Sequence, residues 1–364
     1  MRPLLLALLL PAAALASFSC KDQHNSDVPW FAAYKMPKMA GEAPGSAQGH
    51  GYYYLDSADR SKLRVSVVSI DQDHQAIGYT MAQYYSNKGK ANLLHVFYND
   101  EPAVGVELMK ELDNRISADD LKAIETGHTK GVVLFDGPTG TGVWLIHSVP
   151  KFPSEAKYGY PDSGTEYAQS FLCLTLSVDQ LKTLGTALFY NHPDVYSKSN
   201  PSWVAGKSAD LEQVLNGKYN TDSSKPSFHS TISVTGSQSN APKMEVFAKN
   251  HLFEKDLWQG LVAPTLGGPM EVESWRRGST INIDCHSADT IYDAKTMKVG
   301  GTAEFSYTKD HSKHGRTMKA ASGRVCIGDI NRMTTQFKRG GGAVCIEDPA
   351  MWKAWAVYSS LPTC

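Results

Sequence analysis

Two copies of a His-x-Lys triplet lie half a chain apart: His128-Thr129-Lys130 and His311-Ser312-Lys313, separated by 183 positions in a chain of 364. Each sits in a segment that reads as a β-strand. Residues i and i+2 of a strand project from one face, about 7 Å apart. Each triplet therefore aims an imidazole and an ammonium at one side of a sheet. Around the second copy, Phe305, Tyr307, Lys309, His311 and Lys313 share a face, and Glu304, Ser306, Thr308, Asp310 and Ser312 share the other. Around the first, His128 and Lys130 share parity with Val132, Leu134 and Asp136. The spacing predicts two related halves that each donate one triplet to a shared site, and a chain of this length is ample for two cores.

The elements around the triplets mix strands and helices, which predicts α/β layers. Strands are expected over 28–36, 51–55, 64–70, 93–98, 128–136, 143–149, 227–234, 243–249, 280–285, 302–313 and 326–331. Helices are expected over 77–85, 116–126, 177–188, 209–215, 256–263 and 349–358, with Ser177 as an N-cap. Residues 191–202 (NHPDVYSKSNPS) read as the link between halves. The turn-rich loop 137–142 makes 128–136 and 143–149 a hairpin. If Asp136 faces Val143, His147 lies opposite Val132, on the His128/Lys130 face and diagonal to Lys130.

Composition bounds the setting. Residues 1–16 combine Arg2, a leucine-rich run and an Ala14-Leu15-Ala16 cleavage pattern, which predicts a secretory signal peptide too short to span a membrane. All six cysteines (Cys20, Cys173, Cys285, Cys326, Cys345, Cys364) follow it, and an even count in a secreted chain predicts disulfides, though spacing alone does not choose the pairing. No Asn-x-Ser/Thr sequon is present; Asn200-Pro201-Ser202 is disqualified by its proline. The formal charge of −1 argues against a polyanionic partner at neutral pH, but 12 histidines make the chain markedly cationic in an acidic compartment.

A His/Lys pair presented twice has a definite chemistry. One neutral imidazole can attack phosphorus and form a covalent intermediate. The opposite imidazolium can protonate the leaving oxygen. The two lysines stabilise charge on the phosphoryl oxygens, so no metal or other cofactor is required.

Several blocks strengthen this reading. His128-Thr129-Lys130-Gly131 is followed by Trp144-Leu145-Ile146-His147-Ser148-Val149-Pro150. Asp310-His311-Ser312-Lys313 is followed by Cys326-Ile327-Gly328-Asp329-Ile330-Asn331-Arg332 and Gly340-Gly341-Gly342. Together with Trp30-Phe31, Tyr34-Lys35, Tyr98-Asn99-Asp100 and Trp352-Lys353-Ala354, they resemble the acid deoxyribonuclease II family over essentially the whole mature chain. The resemblance implies a phospholipase D-like α/β pseudo-dimer: two mixed β-sheet halves flanked by helices, an N-terminal half over 17–200 and a C-terminal half over 201–364. It implies a lysosomal or secreted endonuclease that cuts double-stranded DNA at acid pH, without metal, to 3′-phosphates. It implies catalytic roles for His128, Lys130, His311 and Lys313, supporting roles for His147, Asp329 and Asn331, and disulfides Cys20–Cys173, Cys285–Cys364 and Cys326–Cys345. The pseudo-dimer would act as a monomer or pair into a homodimer, with no membrane partner.

Other readings compete. A phospholipase D-like lipid phosphodiesterase and a non-catalytic DNA-binding or toxin-like relative are the alternatives. Asp310-His311-x-x-His314 and Cys285-His286 offer zinc-type donors, but strand alternation separates His311 from His314. Ala205-Gly206-Lys207-Ser208 echoes a phosphate-binding loop, with Pro201 where its first glycine belongs. No Gly-x-Ser-x-Gly is present. Tyr52–Tyr54, Trp352 and Trp355 could stack on bases, but core packing is the expected role.

Overall fold

The structure, a computed structural model, describes residues 17–101, 126–235, 242–320 and 323–364. The expected leader over 1–16 lies outside these residues, as does the helix expected over 116–126 except for Thr126.

A ribbon of β1 (Cys20–Lys21) and β2 (Asp27–Val28) leads into an eight-stranded sheet. Its strands are β3 (Trp30–Lys35), β4 (Tyr52–Asp56), β5 (Arg64–Val65), β6 (Leu93–Tyr98), β7 (Gly131–Asp136), β8 (Thr141–His147), β9 (Gln169–Ser177) and β10 (Val195–Lys198). They run in the order β10-β6-β7-β8-β9-β3-β4-β5. A seven-stranded sheet begins with β11 (Ser227–Ile232), β12 (Lys243–Lys249), β13 (Met270–Ser274) and β14 (Ile291–Asp293). The strands β15 (Thr296–Val299) and β16 (Ala303–Ser306) leave it to form a small sheet with the C-terminal β20 (Tyr358–Ser360). The chain then returns through β17 (Lys313–Thr317), β18 (Arg324–Gly328) and β19 (Gly341–Glu347), completing the order β11-β12-β19-β18-β17-β13-β14.

The two sheets correspond strand for strand. The run β6-β7-β8-β9-β3-β4 in one matches β13-β17-β18-β19-β12-β11 in the other, and every neighbouring pair within these runs is antiparallel. They differ at both ends. The strand β4 follows β3, whereas β11 precedes β12; β10 is antiparallel to β6, whereas β14 is parallel to β13.

Strand alternation explains the layering. One face of the first sheet carries Val133, Phe135, Trp144, Ile146, Leu172 and Leu174. These enter a single core with Val246, Ala248, Val325, Ile327, Val344 and Ile346 of the second sheet and with Leu184, Ala187 and Leu188 of the helix Leu181–Asn191. The opposite parity of the first sheet (Val132, Leu134, Val143, Leu145) packs under Ile77, Met81 and Tyr84 of the helix Ala76–Tyr85. That of the second (Phe247, Cys326, Cys345) packs under Leu257, Trp258 and Val262. The central strands of both sheets are thus covered on both faces; β6, β7 and β8 read as nearly unbroken apolar runs, while β13 and β17 carry polar residues such as Glu273 and His314 into the interior. Disulfides join Cys20 to Cys173, Cys285 to Cys364, and the facing residues Cys326 and Cys345.

Several elements depart from the sequence reading. The strand expected over 302–313 is broken: β16 ends at Ser306, whose side chain accepts from the Thr308 N–H and starts a 3-10 turn over Tyr307–Lys309. The shared face from Phe305 to Lys313 therefore does not exist. His128-Thr129-Lys130 likewise precedes β7, and only Lys313 of the two triplets lies within a strand. Residues 280–285 form no strand beyond a single bridge from Thr280 to Met333. The helix expected from Ser177 opens as a 3-10 turn over Val178–Gln180 and becomes α-helical at Leu181; Ser177, the last residue of β9, stands at the N-cap position but its side chain makes no capping hydrogen bond. The final helix covers Pro349–Ala354, capped by Asp348, which accepts from the N–H groups of Ala350 and Met351; Tyr358 instead opens β20. The 191–202 segment is more than a link, since it holds the edge strand β10. Finally, the hairpin register pairs Asp136 with Thr141, a shift of two residues from expectation that keeps His147 on the same face but brings its N–H directly onto the Lys130 carbonyl at 3.2 Å.

Candidate active site

Each triplet is gripped by the backbone of the other sheet. The His128 N–H donates to the Gly340 carbonyl at 2.9 Å, at the mouth of β19. The His311 N–H donates to the Ala168 carbonyl at 2.9 Å, at the mouth of the corresponding β9. Side chains reinforce the exchange. His128 Nδ1 lies 2.7 Å from the Asp329 carbonyl, and the Thr129 hydroxyl donates to the Asp329 carboxylate. On the other side the Tyr34 hydroxyl donates to the Asp310 carboxylate, whose second oxygen accepts from the Ser312 N–H at 2.9 Å. Gly127 and Gly340 both pack against the Asn191 carbonyl, where an added Cβ would come within 1.8 Å and 2.3 Å of its oxygen. The glycine there is required for close approach.

The first triplet faces a carboxylate. Asp100 pairs with Lys130 and lies 3.4 Å from both His128 Nε2 and an Arg339 Nη2. Burial raises the Asp100 carboxyl, but His128, Lys130 and Arg339 outweigh it and hold it well below the usual carboxylate range. Arg339 is itself fixed by donating to the carbonyls of Thr126 at 3.0 Å and Gly127 at 3.2 Å. Asp100 and Arg339 are the site residues that sequence reasoning missed. The signal for Asp100 was present: β6 and β7 pair antiparallel with Tyr98 opposite Gly131, so residues just past Tyr98 must lie beside those just before Gly131.

The second triplet differs in surroundings. Lys313 is fully buried and donates to the His311 carbonyl at 2.5 Å. Burial, then the neighbouring Lys130, bring its pKa down to about 7. His311 is half-buried, and its ring meets Trp275 at 5.1 Å and Tyr167 at 6.4 Å. Both triplet imidazoles are pushed toward the neutral form. Burial is the main cause in each; Lys130 and Lys313 add to it and Asp100 opposes it.

The supporting residues divide. Asp329 belongs to the site: its carboxylate also accepts from the Gly342 N–H at 2.7 Å, and burial brings its pKa up to about 6. His147 lies behind the triplet. Its ring packs edge-on against Phe152 at 5.1 Å, its Nδ1 accepts from the Val149 N–H, and burial brings its pKa down to about 3. Asn331 is buried beyond Asp329, where the next N–H, of Arg332, donates to Ser274.

The rival constellations find other partners. Cys285 is in a disulfide, and His314 Nδ1 is engaged by Tyr358 at 2.7 Å and by the Trp355 indole. Among the described residues no group of three His, Cys, Asp or Glu side chains is placed to hold a metal ion. Ser208 caps the helix Ala209–Leu215. Tyr52, Tyr53, Tyr54 and Trp355 are buried, and Trp352 packs over Arg316.

Residues 19–363 match the deoxyribonuclease II family profile. The chain is 43% identical over 373 residues to deoxyribonuclease-2 of Caenorhabditis elegans, covering 99% of this chain and 98% of that one. It is 36% identical to plancitoxin-1 of Acanthaster planci, covering 93% and 89% of the two chains, and 33% identical to deoxyribonuclease-2-alpha of Rattus norvegicus, covering 97% and 95%. A yeast tyrosyl-DNA phosphodiesterase structure superimposes with a TM-score of 0.33 at 8% identity, over 72% of this chain and 84% of that one, too distant to carry an argument.

Proposed function

Because the chain belongs to the deoxyribonuclease II family, and is a nuclease of that type, we propose that it hydrolyses DNA at acid pH through the paired triplets. The observation that carries this reading is the reciprocal grip: His128 hangs on Gly340 and His311 on Ala168, so neither triplet is positioned without the other half. Residues 17–200 and 201–364 act as two phospholipase D-like halves of one monomeric enzyme. The disulfides fit an oxidising compartment, in keeping with a secreted or lysosomal protein. No helix among the described residues is long and apolar enough to cross a membrane.

The two histidines take different roles. An Nδ1–H of His128 donated to the Asp329 carbonyl leaves the lone pair on Nε2, beside Lys130 and Arg339. That nitrogen attacks phosphorus while the P–O5′ bond breaks, and the leaving 5′-oxygen takes its proton from the His311 imidazolium. Water, deprotonated by His311, then attacks the phosphohistidine and releases a 3′-phosphate. Lys130, Lys313 and Arg339 hold the phosphoryl oxygens, and Asp329 and Asp100 position His128 and Lys130. His147 and Asn331 support the site by packing behind it.

Acid pH serves the leaving-group step, while the neutral His128 and the later neutral His311 set a lower limit to it. The bound phosphodiester favours the His311 imidazolium against the burial that opposes it, and Lys313 gains its charge as pH falls through about 7. The rate is therefore bell-shaped, with its alkaline limb set by His311 and Lys313 together. The test is plasmid digestion at pH 5 and pH 7.5, with and without EDTA. Nicking at pH 5 in EDTA, leaving 3′-phosphate ends, is expected; loss on chelation with recovery on adding Mg²⁺ or Zn²⁺ would overturn the mechanism. For the alternative lipid chemistry, turnover of phosphatidylcholine in place of DNA would be the sign.

A further inference from the structure

We infer that Tyr167, Trp275 and Arg277 form a nucleobase-stacking subsite that takes the base of the leaving, 5′-oxygen side nucleoside; this rests on the nuclease reading above. The two rings come from opposite halves, and each is one residue from an anchor of the second triplet. Tyr167 precedes Ala168, whose carbonyl holds His311. Trp275 follows Ser274, which pairs with Lys313 across β13 and β17. The rings meet at 4.7 Å and 66°, and Trp275 stands edge-on to His311 at 5.1 Å and 83°. Both are half-buried, whereas Trp30, Trp258 and Trp355 are fully buried. The Arg277 guanidinium lies 4.8 Å from the Trp275 ring and 5.6 Å from that of Tyr167, and is steadied by the Thr308 carbonyl at 3.2 Å. The Lys309 ammonium lies 5.9 Å from Tyr167.

Half-buried rings under an arginine suit a flat π-system that carries a phosphate, with Lys309 already paired to Glu166 at 2.6 Å, and such stacking tolerates any base. The corresponding position in the other half is different. Arg339 precedes Gly340 as Tyr167 precedes Ala168, so the His128 side offers a cation where the His311 side offers a ring. Among the described residues no aromatic ring packs on His128. The strand is thus bound with direction: phosphate contacts concentrate beside His128, and a base stacks beside the group that protonates the leaving oxygen.

The test moves one abasic tetrahydrofuran residue along an end-labelled oligothymidylate and reads the cleavage ladder at pH 5. Wild type should show a gap, about tenfold weaker cleavage, at the one bond whose 5′-oxygen belongs to the abasic residue. Trp275→Leu and Tyr167→Leu should erase the gap by slowing every other bond, and Trp275→Phe, which keeps a π-face, should retain it. A uniform wild-type ladder, a gap on the other side of the abasic residue, or a gap that survives in Trp275→Leu overturns the subsite and leaves the nuclease reading standing. Absence of any wild-type ladder overturns both.

Discussion

The two triplets occupy corresponding places in corresponding sheets, yet their chemical surroundings are unlike. His128 is tethered through Nδ1 to a carbonyl and faces Asp100 and Arg339. His311 has no protein partner at Nδ1 among the described residues and stands against Trp275 and Tyr167. Lys130 meets a carboxylate; Lys313 meets a backbone carbonyl. Corresponding strands therefore supply two copies of the His/Lys pair, and the neighbours brought by loops make the copies unequal. The proposed two-step displacement needs that inequality, since one imidazole must be neutral while the other is charged.

The largest test of the inequality is removal of each histidine. His128→Ala and His311→Ala should each lower kcat on DNA by about four orders of magnitude or more, and the double variant should be no worse than the poorer single one, because both act on the same path. On a p-nitrophenyl phosphodiester, whose leaving group needs no proton, His311→Ala should recover the first step, seen as a p-nitrophenol burst ahead of slow turnover because the phosphohistidine still needs His311 as a base, and His128→Ala none. Equal recovery of both would make the two triplets interchangeable.

Asp100→Asn comes next. It removes a negative charge that raises both triplet imidazole pKa values, so the alkaline limb should move to lower pH. Lost positioning should cost kcat about ten- to a hundredfold, while KM for DNA should not rise, because Lys130 and Arg339 are released to the phosphate. A raised KM with an unmoved pH profile would refute the positioning role.

Lys313→Arg is subtler. With His311 losing its proton first, since burial and Lys313 push it down, and Lys313 losing its own at about 7, the fall of kcat/KM on the alkaline side should steepen toward a slope of two. A guanidinium stays charged there, so the variant should be slower overall, by about tenfold, but fall with a slope near one. An unchanged slope would place the alkaline limb elsewhere.

The smallest effect concerns the half that holds the second triplet. Tyr34→Phe leaves the buried Asp310 carboxylate without one donor, which should cost about 1–3 kcal/mol of stability by urea titration. Its effect on kcat should stay within severalfold, because the Ser312 N–H and the Ala168 carbonyl still hold the loop. A larger loss of kcat than of stability would give Tyr34 a direct part in the chemistry.

The pattern of apolar residues made most of the strands legible. Leu93–Tyr98 and Lys243–Lys249 stand where the periodicity put them, and the helix Ala209–Leu215 does too. Alternation and capping are local properties, decided by residues a few positions apart. What periodicity could not show is where a strand stops when a side chain competes for its backbone, as Ser306 does, or how far a hairpin with a loose glycine loop slips, as 137–142 does by two residues. The residue types of the candidate chemistry were likewise visible in the His-x-Lys repeats, as was the parity that keeps His147 on the Lys130 side. That Arg339, Tyr167 and Trp275 surround them was not, because each comes from the end of another strand, whereas Asp100 follows once β6 and β7 are paired. Their place is set by sheet register and by the packing of two sheets on one core, both of which sum weak contacts over the whole molecule and leave no short-range trace in the sequence.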